Sequence, residues 1–220
     1  LFVFLLLLIH LYSFMSEIKL SNWGIYPREK NGAWGIISSV FIHGSWKHLI
    51  NNSIPLLVLG TSLFYFYKKL APKVCIYSIV FTGFLVWLGG RPSFHIGASG
   101  LVYALATFLF ASGFIRKHHN LMALSMAILF LYGGLIWGIF PVRDYISWEG
   151  HLFGAVNGIF WSIYYKDQGP QRKKYSWEIE KEILKQLDGI EVIYETVTSE
   201  DKEKNSLKIK YDYKKNKNKS

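Results

Sequence analysis

The chain has 220 residues, of which 51% are hydrophobic and 17% aromatic, and its formal net charge is +10. The first three quarters are too apolar for a soluble domain and predict a polytopic membrane protein. Residues 166–220 hold 14 Lys and Arg against 11 Asp and Glu, so the basic excess lies mainly in residues 1–165. There it indicates membrane topology, not nucleic-acid binding. The single cysteine, Cys75, excludes an intrachain disulfide.

Six apolar segments predict six transmembrane helices and an all-α membrane bundle. The first, residues 1–14, is shorter than the roughly 20 residues that cross a bilayer. We interpret it as a truncated helix; a signal-peptide remnant is the alternative, although no basic segment or small-residue cleavage site is visible. Residues 15–47 predict a loop in the membrane interface. The other helices are predicted at residues 48–67, 74–90, 100–115, 121–140 and 148–165.

The charges of the short loops predict the orientation. Lys and Arg concentrate in the loops on one side, whereas the two short loops opposite hold only Arg91 and Arg143. The basic side is expected to be cytoplasmic, with both termini inside. Four basic residues in the long first loop count against this orientation, but they are spread over about 33 residues.

The composition predicts two domains, a transmembrane domain at residues 1–165 and a small cytoplasmic tail at residues 166–220. Apolar residues at helical spacing predict a helix over Ser176–Leu187. Alternating runs at 190–197 and 207–213 predict strands, and the Lys- and Asn-rich end is expected to be disordered. The tail is therefore predicted to be a small α+β or partly disordered module, and attraction to anionic lipid is a secondary possibility.

Ser99 is the candidate nucleophile. It lies in the segment His95-Ile-Gly-Ala-Ser-Gly-Leu-Val-Tyr103, where an apolar run begins. That position predicts a helix N-terminus, whose free N–H groups and dipole favour developing negative charge. The alternative is that Gly97, Ala98, Ser99 and Gly100 are small only so that neighbouring transmembrane helices can pack closely.

His151 is the candidate base. Gly150, Gly154 and Gly158 recur every four residues on the sixth predicted span and form a groove that another helix can approach closely. Close contact with Gly100 and Ala104 of the fourth span would bring His151 within hydrogen-bond reach of Ser99. No acidic third member is evident, so the pattern predicts a Ser–His dyad. Tyr103, one turn after Ser99, could stack on His151 or be an ordinary packing aromatic.

His48 and Asn52 are candidate oxyanion donors. They are four residues apart and share one face of the second span. With the Ser99 backbone N–H they could stabilise an oxyanion. An interhelical hydrogen bond is the alternative for Asn52, and an interfacial position beside Lys47 is the alternative for His48. All these polar groups lie near the predicted outer ends of their spans, where a functional site is the default explanation.

Three motifs occur in order on the second, fourth and sixth spans. They are His43-Gly-Ser-Trp-Lys-His-Leu-Ile-Asn-Asn52, Gly97-Ala-Ser-Gly-Leu-Val-Tyr103 and Gly150-His-Leu-Phe-Gly-Ala-Val-Asn-Gly158. Together they resemble the signature regions of the rhomboid family of intramembrane serine proteases. The resemblance covers roughly residues 1–165, and the first helix departs from the family in its length.

The resemblance implies a rhomboid-like six-helix bundle with serine endopeptidase activity on transmembrane segments. It implies that Ser99 is the nucleophile, His151 the general base and then acid, His48 and Asn52 the oxyanion donors, and Tyr103 the residue packed on the base. The family's helix 6 glycines correspond to Gly154 and Gly158. The loop at 15–47 would be a membrane-embedded support, and residues 121–140 a lateral gate.

The expected partners are the lipid bilayer and transmembrane protein substrates, with no nucleic acid, metal or cofactor. We expect a multi-pass protein of a prokaryotic inner membrane. The main alternative is a catalytically inactive rhomboid-like module that binds membrane proteins. A metal-dependent hydrolase or carrier using His43, His48, His95 and His151 lacks a His-Glu-x-x-His motif. A transporter is disfavoured because the polar residues cluster near one face.

Overall fold

The computed structural model describes residues 1–142, 146–172 and 174–187. These residues form eight α-helices, and α2 is a single short turn. The helices are α1 (Phe2–Met15), α2 (Gly35–Ser38), α3 (Trp46–Phe66), α4 (Ala71–Gly89), α5 (Ser99–Arg116), α6 (His119–Tyr132), α7 (Trp148–Tyr164) and α8 (Ser176–Leu187). Residues Leu1–Arg172 form one compact unit, and Lys173–Ser220 are assigned to a second.

Four segments in the described part of the chain are long and apolar enough to cross a membrane. They are α3, α4, α5 and the continuous segment His119–Ile139, which begins with α6. Helix α1 has 14 residues and α7 has 17, so both are shorter than a full span. The protein is thus mostly helical with four candidate spans, and the six-span count stays a prediction.

Helix α5 is the centre of the first unit. Eleven of its 18 residues are buried, and it contacts α3, α4, α6 and α7. By contrast, only 11% of the apolar window in His119–Ile139 is buried. A helix that is apolar all round and enclosed by neighbours acts as the core of a membrane bundle, while one that packs on one side leaves its remaining surface for lipid.

Small residues bring α5 and α7 into backbone contact, as the glycine spacing predicts. A Cβ on Gly154 would collide with the Gly100 carbonyl, and a Cβ on Gly158 with the Ala104 carbonyl. The Thr107 hydroxyl donates to the Ala155 carbonyl across the same interface at 2.9 Å. Interfaces of this kind are stabilised by packing and interhelical hydrogen bonds instead of by water exclusion.

The loop between α1 and α3 is folded onto the bundle. Its short helix α2 packs on α4, where Gly83 lies beneath Ile36 with no room for a side chain. Ile25 and His95 form an isolated antiparallel bridge, with backbone hydrogen bonds of 3.0 and 2.8 Å. The loop therefore supports the segment that leads to Ser99.

Arg116, the last residue of α5, is a buried basic residue. Its guanidinium is buried at the C-terminus of α5, where Nη2 donates to the Tyr165 and Gln168 carbonyls at 2.5 and 3.0 Å. It also lies over the Tyr67 ring at 5.2 Å. Arg116 therefore ties α5 to the residues that follow α7, and satisfies carbonyl groups left open at a helix end.

One expected segment differs in detail from the structure, and another has the predicted bounds. The predicted span at 121–140 is α-helical only to Tyr132 and continues as a 3₁₀ helix over Gly133–Ile139, here called the distal 3₁₀ segment. In the second unit, α8 begins and ends where the apolar spacing predicted a helix, and Lys174 pairs with Glu182 at 2.7 Å. The predicted strands at 190–197 and 207–213 and the predicted disordered end lie outside the described residues.

Candidate active site

Ser99 is the first residue of α5, as its sequence context predicts. The turn before it requires glycine, because Gly97 has a φ of +109°, in a region that L side chains rarely adopt. The Ala98 backbone N–H donates to Nε2 of His43 at 3.4 Å. Ser99 is half-buried at the N-terminal end of α5, where the helix dipole favours negative charge.

His48 and Asn52 both face the turn that precedes Ser99. An added Cβ on Gly97 would lie 2.6 Å from His48 Nε2 and 3.5 Å from Asn52 Nδ2. Helix α3 sets this register, because the Ser45 hydroxyl caps its N-terminus by accepting from the His48 N–H at 3.2 Å. Asn52 is only 5% exposed, and its Nδ2 makes no hydrogen bond to the described residues. An unpaired buried donor is therefore aimed at the backbone beside Ser99.

His151 is held by two contacts on the first turns of α7. Its ring stacks on Tyr103, with centroids 4.3 Å apart and planes 9° apart. Its Nδ1 lies 2.9 Å from the Gly138 carbonyl oxygen. A carbonyl oxygen only accepts hydrogen bonds, so Nδ1 carries the proton and the lone pair is on Nε2.

Helix packing brings the start of α5, which carries Ser99, next to the start of α7, which carries His151, without a direct hydrogen bond between the two side chains in the described structure. The Gly150 carbonyl oxygen lies 3.2 Å from the position of a Cβ on Gly100, so the residues adjacent to Ser99 and His151 are in contact. Tyr103, one turn along α5, stacks on the imidazole. Catalytic hydrogen bonds are often long before substrate binds, so this geometry is compatible with a nucleophile and its base.

Arg91, Glu149, His95 and Ser147 fasten the ends of α4 and α7 together near the site. Glu149 Oε1 accepts from the Arg91 backbone N–H at 3.3 Å and lies 3.4 Å from its Nε. His95 Nε2 donates to the Arg91 carbonyl at 3.1 Å, so its Nδ1 accepts from the Ser147 hydroxyl at 2.7 Å. Ser147 in turn caps α7 by accepting from the Gly150 N–H at 3.3 Å. These bonds fix the helix start that carries His151.

Burial lowers the pKa of two histidines that lie outside the helices. It lowers the pKa of His43 to about 4, with a smaller contribution from the neighbouring His48. It also lowers the pKa of His95, against the opposing effect of the hydrogen bond to the Arg91 carbonyl. Both imidazoles are therefore neutral at pH 7, as their hydrogen bonds as acceptors require.

A cavity of about 40 Å³ lies behind the Ser99 turn, large enough for water. Its polar lining residues are Ser39, Ser78, Thr82, His95, Ser99 and Ser147. Among the described residues, no three His, Cys, Asp or Glu side chains are grouped as they would be around a metal ion. His43 and His95, considered as metal ligands from the sequence, instead hydrogen-bond to Ala98, Ser147 and Arg91.

The sequence did not single out two groups that the structure places at the site. Gly138 lies within the predicted span at 121–140 and belongs to none of the three motifs, yet its carbonyl oxygen contacts His151. His43 was considered only as a metal ligand, yet it bonds to the backbone next to Ser99. Both contacts use backbone atoms of segments distant in the chain, and a backbone atom leaves no signature in residue type.

A family model described as "Rhomboid domain" matches residues 30–168. A Mycobacterium tuberculosis protein described as uncharacterized is 38% identical over 184 residues, covering 78% of this chain and 75% of its own length. A Mycobacterium leprae protein, also described as uncharacterized, is 34% identical over 182 residues, covering 78% of this chain and 71% of its own. Rhomboid-related protein 1 of Caenorhabditis elegans is 31% identical over 146 residues, or 61% of this chain and 40% of that protein.

The matched region contains α3 to α7 and all the candidate site residues. The apolar helices fit a bilayer environment, and the bacterial relatives fit a prokaryotic origin. The chain is an integral membrane protein that belongs to the rhomboid family.

Proposed function

We propose that the protein is an intramembrane serine endopeptidase that cleaves transmembrane segments of membrane-protein substrates. The observation that carries this proposal is the state of His151. Its ring is stacked on Tyr103 and its Nδ1–H is bound to the Gly138 carbonyl, which leaves the Nε2 lone pair available beside the start of α5. An oriented neutral imidazole next to a serine at a helix N-terminus is the arrangement that nucleophilic catalysis requires.

In the proposed reaction, a substrate helix unwinds at small or helix-breaking residues and presents a peptide bond to Ser99. The serine oxygen bonds to the carbonyl carbon while its proton passes to His151 Nε2. The tetrahedral intermediate then expels the amine, which takes that proton from His151, and an acyl-enzyme remains. Water attacks the ester with His151 again as base, and the new carboxyl product leaves with Ser99 restored.

The negative charge of the tetrahedral intermediate develops on the former carbonyl oxygen. Hydrogen-bond donors around that oxygen would stabilise it. His48, the Asn52 amide and the Ser99 backbone N–H are proposed to supply them. The unpaired Asn52 Nδ2 beside Gly97 supports this role, because a buried donor without a partner costs stability and is retained where function uses it. We further propose that this site faces the outer side of the membrane, with both termini cytoplasmic, as the Lys and Arg distribution indicates.

The proposal is tested by reconstituting the protein with single-pass model substrates whose transmembrane segment contains small and helix-breaking residues. Wild-type protein should cleave such a substrate, and Ser99→Ala should abolish cleavage without changing the helical circular dichroism spectrum. Cleavage retained by Ser99→Ala would overturn the assignment. Binding of the substrates without cleavage by the wild type would favour the inactive binding module.

A further inference from the structure

The distal 3₁₀ segment, Gly133–Ile139, makes two hydrogen bonds to the stacked pair Tyr103 and His151. The Tyr103 hydroxyl donates to the Leu135 carbonyl at 2.7 Å. The His151 Nδ1–H donates to the Gly138 carbonyl at 2.9 Å. The two acceptors are three residues apart, which is one turn of a 3₁₀ helix. One short segment therefore binds both rings at once.

Gly138 allows this approach and its neighbouring glycines do not contribute to it. A Cβ on Gly138 would overlap the Tyr103 hydroxyl and lie 3.0 Å from His151 Nδ1. A Cβ on Gly133 would meet only the Leu129 side chain, at 3.6 Å, and a Cβ on Gly134 would meet nothing within 4 Å. Position 138 is therefore the one of these three where a side chain would displace the carbonyl from the imidazole.

No carboxylate of the described residues takes the place next to His151 Nδ1. Glu149 is the closest acid in sequence, and its Oε1 is paired with Arg91 at the end of α4. A base in a serine hydrolase needs a partner that keeps the proton on Nδ1 and stabilises the imidazolium that forms. A carbonyl oxygen can do both, because it accepts from Nδ1–H in the neutral ring and in the charged ring.

We propose that Gly138 is a positioning residue of the active site, and that its backbone carbonyl takes the role of the acidic member of a serine triad. This inference rests on the proposed function. The carbonyl selects the Nδ1–H tautomer, the Tyr103 ring fixes the plane of the imidazole, and the Leu135 carbonyl anchors Tyr103. The catalytic competence of His151 thus depends on how the distal 3₁₀ segment is seated.

The test compares Gly138→Ala with Gly134→Ala, the matched change in the same segment. We expect Gly138→Ala to lower kcat roughly 10- to 100-fold with little change in KM, because a misplaced catalytic group loses rate more than binding. Gly134→Ala should stay within about twofold of wild type, because its methyl group enters open space. A Gly138→Ala variant with wild-type kcat and a wild-type unfolding midpoint would overturn the proposal.

A second readout follows the imidazole itself and does not need turnover. Nitrogen-15 NMR of histidine-labelled protein, with His151 assigned by the His151→Ala difference, should show the Nδ1–H tautomer in wild type. Gly138→Ala should shift His151 toward the other tautomer, and Gly134→Ala should not. A merely structural glycine would change the unfolding midpoint without changing the tautomer. An Nε2–H tautomer in wild type would contradict the inference.

Should Gly138→Ala fail to fold, the same change is made in a Tyr103→Phe background. Removing the phenol oxygen removes the closest obstacle to the new methyl group, and leaves its 3.0 Å approach to His151 Nδ1. The double variant should then have at least about tenfold lower kcat than Tyr103→Phe alone. Equal rates would overturn the proposal. If instead the wild type cleaves no substrate while His151 has the Nδ1–H tautomer, the proposed function fails and the positioning of the ring stands.

Discussion

At the residue scale, Asn52 is a position where a substitution is expected to affect catalysis but not stability. Its buried Nδ2 has no partner among the described residues, so its removal breaks no hydrogen bond of the fold. Asn157 is buried to a similar extent, but its Nδ2 donates to the Ser78 carbonyl and the Thr82 hydroxyl at 3.1 and 3.0 Å. The two asparagines therefore allow a comparison between a buried amide nitrogen without a hydrogen-bond partner and one that hydrogen-bonds within the fold.

We expect Asn52→Ala to lower kcat by about 100- to 1000-fold, the usual cost of losing an oxyanion donor, with the unfolding midpoint nearly unchanged. Asn157→Ala should lower the unfolding midpoint, because it leaves a buried carbonyl and hydroxyl without their donor. Cleavage assays and thermal unfolding in the same detergent measure both effects. A full-rate Asn52→Ala enzyme would remove Asn52 from the oxyanion site.

His43, which contacts the Ser99 turn, is expected to make the free energy of unfolding depend on pH. Its imidazole accepts from the Ala98 N–H, and burial holds its pKa at about 4 instead of 6.5. Between these values the unfolded chain binds more protons than the folded one, so the free energy of unfolding falls as the pH falls from about 6.5 to 4. Above about pH 6.5 this contribution is fully present. His95, whose pKa burial also lowers, contributes in the same direction.

We expect His43→Gln to reduce the pH dependence, because the glutamine oxygen can accept the same bond without titrating. The unfolding midpoint of wild type should fall more between about pH 7 and pH 4.5 than that of the variant. The remaining slope is expected from His95. Equal slopes for the two proteins would show that the His43 imidazole is not the neutral acceptor of the Ala98 N–H.

At the element scale, the contact between α5 and α7 holds together the helix starts that carry Ser99 and His151, the proposed nucleophile and base. Gly154 packs on the Gly100 carbonyl, so an added methyl group must push the two helices apart. Gly154→Ala should cost roughly 1–3 kcal/mol of stability, the usual range for overpacking, and should also slow cleavage. Gly60→Ala is the control, because a Cβ there meets nothing within 4 Å. Thermal unfolding and kcat of both variants check the prediction, and a fully stable, fully active Gly154→Ala would contradict it.

Some features of the helices follow from local sequence patterns, and others do not. The start of α5 at Ser99, the glycine face of α7 and the bounds of α8 follow from local signals, because helix ends and apolar spacing depend on neighbouring residues. The change from α to 3₁₀ geometry at Gly133 was not predicted. An apolar span with scattered glycines has the same hydropathy in either geometry, so periodicity does not separate the two.

At the scale of the whole molecule, three sequence-distant motifs meet because α5 is enclosed by α3, α4, α6 and α7. Composition and motif order were sufficient to predict the membrane class and the family, whereas the roles of the site residues stay a proposal. The groups that contact the site residues were not predictable, since they are the backbone carbonyl of Gly138 and the backbone N–H of Ala98. Every residue type has a backbone carbonyl and every type except proline has an N–H, so residue type does not mark these contacts. Such contacts depend on the tertiary register of the helices.

Covalent labelling with a fluorophosphonate probe tests the proposal that His151 activates Ser99. Wild-type protein in detergent should be labelled at Ser99, whereas Ser99→Ala should not be labelled and His151→Ala should be labelled at least about 100-fold more slowly. Gly60→Ala should be labelled at the wild-type rate. Failure of the wild type to be labelled, or equal labelling of wild type and His151→Ala, would show that His151 does not activate Ser99.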